Sequence, residues 1–325
     1  MRTRSRTKLT CRIILNPGWA YLAIGRRQSA GLSEVREKEE LPIAVRPIEP
    51  ADVPEAGRIC HDAFKAIAGQ HNFPPDFREP QVAIDLLSQL TANRGFYGVV
   101  AEQDGRVVGS NFVDERSPIV GLGPITVDPT AQNQGVGAAL MRHMVDRAVR
   151  NQAAGLRLVQ SGYHLRSLCL YTKLGFAVRE HLANLQGPPI GISIPGCIVR
   201  PATRTDATTC DLLCHSVHGH ERGRDLRDAV DQGAASIVER NGRITGYTTQ
   251  IAFFGHAVAE TNDDLKALIA AAPSFAGPGF LLPSRNTELF QWCLAHGLRM
   301  VQPTTLMTIG LYNEPRGAHL PSVLF

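Results

Sequence analysis

The sequence lacks a long uninterrupted apolar run. A membrane-spanning helix needs ~20 consecutive apolar residues, and no stretch of that length occurs in the 325 residues. Near the amino terminus the best apolar run, residues 13–15, is interrupted at once by Asn16-Pro17-Gly18. The small-residue cleavage site of a signal peptide is also missing there. The sequence therefore predicts neither a membrane span nor a secretory leader.

The sequence also lacks any Cys-x-x-Cys pair. Its seven cysteines are an odd number and lie at scattered positions, which is not the pattern of a disulfide framework in a small secreted domain. We expect reduced thiols and therefore a cytoplasmic protein.

A basic excess is absent from most of the chain. Residues 1–40 hold nine Lys or Arg and four Asp or Glu, whereas the whole chain carries a formal charge of +4, so the remainder carries −1. The main body therefore gives no electrostatic indication of a nucleic-acid partner. Residues 1–42 are predicted to be a basic, disordered leader, with a targeting segment as the alternative.

What the sequence does contain is an internal recurrence. The segment Ala44-Val45-Arg46-Pro47 returns as Ile198-Val199-Arg200-Pro201, and an aspartate precedes a helical pattern in both places. Two hairpin signals follow in the same order, Asp104-Gly105 and Asn241-Gly242. Recurrence in the same order predicts a duplicated unit.

The duplication predicts an α/β fold of two similar units, each with a mixed, mostly antiparallel sheet flanked by helices. The predicted divisions are a first unit at 43–185, a Pro- and Gly-rich linker at 186–196, and a second unit at 197–325.

A glycine-containing loop in the first unit indicates an anion site. A predicted strand at 119–127 is followed by a loop with Gly135 and Gly137 and then by a helical pattern. Free backbone N–H groups and the helix dipole at such a place suit a pyrophosphate. The loop is neither a dinucleotide-binding Gly-x-Gly-x-x-Gly nor a Walker loop. A helix start that merely tolerates glycine is the alternative.

Two motifs together resemble the GNAT acetyltransferase family. Gln132-x-x-Gly135-x-Gly137 is similar to the loop by which these enzymes hold coenzyme A. About thirty residues downstream, the stretch from His164 through Tyr171 to Gly175-Phe176 is similar to their second motif. The resemblance covers residues 43–185, with His164 and Ser167 where the family usually has Asn and Ala.

The resemblance implies that acetyl-CoA is the co-substrate and that no metal is needed. Backbone amides of the loop would hold the pyrophosphate, and the preceding strand would pair with the pantetheine arm. The implied cofactor-binding residues are Ile125, Thr126, Val127, Gln132, Asn133, Gln134, Gly135, Val136, Gly137, Ala138 and His164.

The resemblance also implies catalytic groups. Tyr171 lies where the family places the acid that protonates the departing thiolate, although a half-buried core tyrosine is an alternative. A base for the amine is expected at Asp114 or Glu115, unless these are only a solvated strand end. His164 could act as the base or as a helix cap.

The second unit lacks the glycine loop. Asp263 and Asp264 stand at the corresponding helix start, and Cys293 stands at the position of Tyr171. We therefore expect a degenerate GNAT-like unit that packs on the first and walls the acceptor pocket. A Cys- and His-rich segment at 214–222 has irregular spacing, so we expect no metal there; a helix end that faces an acidic ligand, or plain surface polarity, is the alternative.

The predicted function is transfer of acetyl from acetyl-CoA to a primary amine of a small molecule or peptide, by direct attack in a ternary complex. No nucleic-acid or membrane partner is expected. The alternative is an acyl-CoA-binding sensor without turnover.

Overall fold

The protein is represented by a computed structural model, which describes residues 43–324. The predicted leader at 1–42 lies outside the described residues. Eight α-helices are described. They are α1 (Val53–Gln70), α2 (Pro80–Ala92), α3 (Val136–Arg150), α4 (Leu165–Lys173), α5 (Ala207–His218), α6 (Gly223–Asp231), α7 (Asn262–Ala271) and α8 (Thr287–Ala295).

Fourteen β-strands alternate with these helices in the described part of the chain. They are β1 (Ala44–Pro47), β2 (Phe96–Gln103), β3 (Arg106–Asp114), β4 (Ile119–Leu122), β5 (Thr126–Val127), β6 (Gly155–Ser161), β7 (Ala177–Gln186), β8 (Cys197–Pro201), β9 (Ser236–Arg240), β10 (Arg243–Thr248), β11 (Ala257–Ala259), β12 (Phe280–Pro283), β13 (Arg299–Gly310) and β14 (Ala318–Leu320). The predicted α/β class with mostly antiparallel sheets is confirmed.

Two sheets result. The larger follows the order β1-β2-β3-β4-β6-β13-β7-β12, with β5 paired to β3, and the smaller follows β14-β11-β10-β9-β8. All strand pairs are antiparallel except β4 with β6. Helices α3 and α4 pack on one face of the larger sheet, and α1 and α2 pack on the other.

Both predicted hairpins are confirmed. Strands β2 and β3 meet at Gln103↔Arg106, and β9 and β10 meet at Arg240↔Arg243. In each turn the two central residues have positive φ, between +53° and +70°. Asn-Gly and Asp-Gly favour this backbone conformation because glycine has no Cβ and a short polar side chain tolerates the left-handed region.

The internal recurrence extends to an ion-pair network. The Arg46 guanidinium donates to Asp52 at 2.7 and 2.8 Å and to Glu102 on the neighbouring strand. In the second unit Arg200 donates in the same way to Asp206, at 2.8 and 2.9 Å, and to Glu239. The repeated arginine and aspartate therefore serve one structural role, which is to fix the strand to the helix start.

The two units share one sheet. Strand β13 lies between β6 and β7 and is antiparallel to both. Residues 43–324 belong to a single compact unit. The division at 186–196 stays a prediction, and we use "first half" for residues 43–185 and "second half" for residues 197–324.

Candidate functional site

A cavity of about 510 Å³ opens where β4 and β6 separate. The two strands pair in parallel from Ile119↔Gly155 to Leu122↔Leu158. Beyond Leu122 the chain leaves β6, and both diverging segments line the cavity. The prediction of one continuous strand at 119–127 is therefore wrong in its middle, and this break creates the space.

Strand β5 presents a backbone edge to the cavity. It pairs with β3 at Gly109↔Val127 and Ser110↔Thr126, and within residues 43–324 no strand pairs with its other edge. Ile125, Thr126 and Val127 all line the cavity, as the resemblance implies. The open edge can hydrogen-bond a ligand that carries amide groups, in the manner of an added strand.

The loop before α3 has the geometry of an anion site. Gly135 caps the helix with φ of +90°, and the first turn contains no acidic residue. The N–H of Ala139 donates to the carbonyl of Gly135 at 3.0 Å, and this is the first hydrogen bond of the helix. The backbone N–H groups before Ala139 therefore have no acceptor within the helix. Gly135, Gly137 and Ala138 line the cavity. Several donors and the positive end of the helix dipole therefore point at one place.

Arg166 is a cavity residue that the sequence reasoning missed. Arg166 lies in the first turn of α4. Its guanidinium donates to the side chains of Gln132, at 2.9 Å, and Asn133, at 3.1 Å. A cation in the first turn of α4 is unfavourable for the helix dipole, and this mismatch was the available signal. Its guanidinium adds a positive charge beside the loop.

The structure brings together most of the predicted cofactor residues. Gln134 and Val136 do not line the cavity. Gln134 is exposed and donates to the carbonyl of Thr130 at 3.3 Å, whereas Val136 is buried in the core. Of these two residues, only the backbone N–H groups are placed to contact an anion at the loop.

Tyr171 lies on the cavity side of α4 and is 6% exposed. Burial raises the pKa of its phenol to about 12, with a hydrogen bond from Ser167 acting in the opposite direction. Ser167 in turn bonds His164 Nδ1 at 2.7 Å. The three side chains follow i, i+3, i+7 spacing and so share one helix face. The phenol therefore holds its proton throughout the neutral range.

His164 is neutral at neutral pH. Burial, and then the charges of Arg166 and His71, lower its pKa to about 4. It caps α4 without a side-chain bond to the helix backbone. A histidine with so low a pKa is a weak base, so the hydrogen bond to Ser167 is its main contribution.

The two predicted bases, Asp114 and Glu115, lie outside the cavity lining, and the structure corrects that expectation. Asp114 accepts from Arg116 at 2.7 and 2.9 Å. Glu115 accepts from Arg147 at 2.7 and 2.9 Å. Both carboxylates are paired with guanidinium groups and neither lines the cavity that Tyr171 lines, so neither is placed to take a proton from an amine bound there.

The corresponding helix start in the second half is closed by its own side chains. Asp264 is fully buried, accepts from Thr261 at 2.6 Å and pairs with Arg240 at 3.0 Å. Thr261 caps α7 by accepting from the N–H of Asp264. Cys293, at the position that corresponds to Tyr171, is buried in the core. These contacts occupy the place that an anion would need.

The Cys- and His-rich segment 214–222 is partly buried, with His215 and Glu221 among its exposed residues. His218, His220 and Arg222 are buried, and Arg222 donates to Asp225 at 2.9 Å. For these three residues the arrangement contradicts the alternative of plain surface polarity. Among residues 43–324 no group of three or more His, Cys, Asp or Glu is arranged to hold a metal ion.

The sequence profile of the acetyltransferase (GNAT) domain matches residues 93–178. This range contains the open edge of β5, the loop before α3 and the cavity face of α4. No curated protein sequence matches the chain.

Two solved structures resemble nearly the whole chain. A Pyrococcus horikoshii protein assigned as an acetyltransferase is 16% identical, with a TM-score of 0.66 over 90% of this chain and 95% of that chain. A GCN5-related N-acetyltransferase from Sphaerobacter thermophilus is 14% identical, with a TM-score of 0.58 over 84% of this chain and 98% of that chain. At these identities the likeness shows the fold.

The chain therefore shares the α/β fold of these two proteins. The chain contains an acetyltransferase domain of the GNAT family, and the resemblance stated from the two sequence motifs is confirmed.

Proposed function

We propose that the protein transfers an acetyl group from acetyl-CoA to a primary amine in a ternary complex. The observation that carries this proposal is the shared cavity. The start of α3, which no side chain caps, the open edge of β5 and the Tyr171 side chain all line one space. A diphosphate, an amide-containing arm and a reacting thioester need these three features in that order.

Different residues of the first half contact different parts of acetyl-CoA. Backbone N–H groups from Gln134 to Ala138 hold the pyrophosphate, and Arg166 adds a charge-assisted contact. The edge at Ile125, Thr126 and Val127 orients the pantetheine arm. Bound acetyl-CoA supplies a thioester carbonyl that is open to attack by an amine. Tyr171 then gives its hydroxyl proton to the departing sulfur.

We also propose a cytoplasmic location. The six described cysteines are free thiols, and reduced thiols are typical of that compartment. Among residues 43–324, no helix combines the length and apolarity that a membrane crossing requires.

Replacing Tyr171 with Phe tests the proposed chemistry. The substitution keeps the ring packing against Phe176, 6.1 Å between centroids, and removes only the hydroxyl. We expect turnover to fall by about 10²-fold while the Kd for coenzyme A is unchanged. Thiol release across a panel of primary amines measures turnover, and titration calorimetry measures binding.

Tyr97→Phe is the matched control, because Tyr97 packs on Arg147 outside the cavity. An unchanged turnover number for Tyr171→Phe would contradict the acid role. Binding of coenzyme A by the wild-type protein without thiol release for any amine would favour the sensor.

A further inference from the structure

Asp76, in the loop between α1 and α2, carries an unsatisfied oxygen into the cavity region. The residue lines the cavity, and its Oδ2 atom is buried without a hydrogen-bond partner among the described residues. Its other oxygen, Oδ1, accepts from Gln302 Nε2 at 3.1 Å. A buried carboxylate oxygen that lacks a partner is costly in a folded protein, which points to a ligand.

The second half fixes this carboxylate. Gln302 lies on β13 and is 3% exposed. Its amide nitrogen donates to Asp76, and its amide oxygen accepts from the Tyr163 hydroxyl at 3.5 Å. Tyr163 stacks on Phe73 of the same loop, with centroids 4.3 Å apart and an interplanar angle of 11°. The loop between α1 and α2 is therefore fixed at two points, by the hydrogen bond from Gln302 to Asp76 and by the stacking of Tyr163 on Phe73.

Further unsatisfied polar groups line the same cavity. Thr304, two residues beyond Gln302 on β13, is 3% exposed, and its hydroxyl has no partner in the described chain. Gln160 on β6 is 7% exposed, and neither its amide oxygen nor its nitrogen has one. Both side chains can accept hydrogen bonds from an N–H donor. Together with Asp76 they make this end of the cavity suited to a cation.

The rest of this end is apolar. Two edge-to-face aromatic pairs line it, Phe64 with Phe77 at 5.5 Å and Phe253 with Phe254 at 5.9 Å between centroids. The second pair belongs to the second half. An acceptor that fits would carry its charge at the amine and an apolar or aromatic group beyond it.

We propose that Asp76 is the carboxylate that receives the acceptor, an arylalkyl primary amine in its ammonium form, and that Gln302 positions it. This inference rests on the proposed acetyl transfer. One ammonium N–H bond breaks, and its proton moves to Asp76 Oδ2. The electron pair left on nitrogen forms the bond to the acetyl carbon, and the C–S bond then breaks as the sulfur takes the Tyr171 hydroxyl proton. The attacking nitrogen gives its second proton back to the Tyr171 oxygen, which leaves the neutral amide, and Asp76 passes its proton to water.

The surroundings of Asp76 favour proton transfer. Burial raises the pKa of its carboxyl group above the ordinary value, and the hydrogen bond from Gln302 only partly opposes this. The titratable groups that interact with it are Cys60 on α1 and Tyr163 before α4, whose pKa values are themselves raised by burial. Both are uncharged at neutral pH, so the ammonium meets no competing cation from them.

The test compares the full-length wild type with Asp76→Asn, Gln302→Leu and the control Asp85→Asn. Asp85 is an exposed carboxylate on α2 that bonds Gln81. The probe amine is 2-phenylethylamine, with acetyl-CoA as donor. We expect kcat/KM for the amine to fall by about 10²-fold in Asp76→Asn and by about 10-fold in Gln302→Leu.

A positioning role makes a finer prediction. Gln302→Leu should raise the KM for the amine and leave the KM for acetyl-CoA within about twofold. It should add little in the Asp76→Asn background, because both changes remove one interaction. Equal losses for both substrates, together with a lowered melting temperature, would overturn the proposal in favour of a structural role.

Two other outcomes separate this inference from the function on which it rests. If the wild type binds coenzyme A but neither binds nor acetylates 2-phenylethylamine in calorimetry and thiol release, the acceptor proposal is overturned and the cofactor site stands. If Asp76→Asn matches the wild type, the Asp76 assignment is overturned. If the wild type binds no coenzyme A in a titration without amine, the proposed function and this inference fail together.

Discussion

His164 and Ser167 are the residues at which the chain departs from the usual family motif, and they are connected to Tyr171 through one hydrogen-bonded face of α4. Ser167 is the middle member. Its hydroxyl lies between an imidazole that is neutral at pH 7 and a phenol that keeps its proton. These two departures therefore give the proposed acid, Tyr171, polar neighbours on α4 instead of an entirely apolar environment.

Arg166 gives the prediction at this scale. Replacing it with Gln removes the charge beside the loop and the bonds of its guanidinium to Gln132 and Asn133. We expect the Kd for coenzyme A to rise by about 10-fold, because a charge-assisted contact to phosphate is lost and solvent screens the exposed guanidinium. Titration calorimetry at low and high salt measures it, and the difference should shrink as salt screens the charge.

Lys173→Gln is the matched control, because it removes one positive charge from the exposed last turn of the same helix. We expect its Kd to match the wild type. Equal affinities for Arg166→Gln and Lys173→Gln would show that the guanidinium takes no part in binding.

Single residues were predictable where a local rule fixes them. Gly135 needs a positive φ at a helix start, and the motif places Tyr171 in register with it. Asp76 gave no such signal, because its role depends on Gln302, which lies 226 positions further along the chain. Asp114 and Glu115 were expected at the site because they end the neighbouring strand, and the ion pairs with Arg116 and Arg147 draw them away.

At the scale of elements, the starts of two corresponding helices differ. The start of α3 is open to an anion, and the start of α7 is closed by its own side chains. Helix α3 follows Gly135 and has no acid in its first turn, whereas α7 starts with a Thr261–Asp264 capping box. The acids in α7 satisfy its dipole and donors internally. This difference was readable from the sequence, since capping residues and glycines act locally. The break between β4 and β5 also had a local signal, because Gly123-Pro124 lies inside the predicted strand, and Gly-Pro marks a turn while proline cannot donate to a neighbouring strand.

Acid sensitivity is expected where α5, β11 and the carboxyl-terminal strand β14 meet. Burial, the largest cause, lowers the pKa values of His220, His256 and His319 to about 4. Unfolding restores values near 6.5, so below that pH the unfolded state binds protons that the folded state does not. We expect the free energy of unfolding to fall between pH 6.5 and 4, by on the order of 1 kcal/mol or more per histidine at pH 5.

Urea denaturation at pH 7.5 and pH 5.0 measures this loss. His319→Gln should reduce the difference between the two pH values, whereas His181→Gln, on the exposed side of β7, should leave it unchanged. Identical unfolding free energies at both pH values would show that these histidines are not held neutral.

At the scale of the whole molecule, the second half completes both the sheet and the cavity. Strand β13 lies between β6 and β7, and it places Gln302 and Thr304 in the lining of the cavity that also contains Asp76. The sequence recurrence predicted two similar units from the repeated strand and hairpin signals. It could not predict the insertion of β13, because strand order depends on long-range pairing rather than on local pattern.

The stoichiometry of coenzyme A binding tests the proposed division between the halves most directly. Equilibrium dialysis of the full-length protein should give one coenzyme A per chain, and Gly135→Glu should give none, because its carboxylate would occupy the anion site. Gln232→Glu, at the exposed turn before β9, adds the same charge away from the site and should still bind one. Two molecules per chain, or one that persists in Gly135→Glu, would contradict a single site at the start of α3.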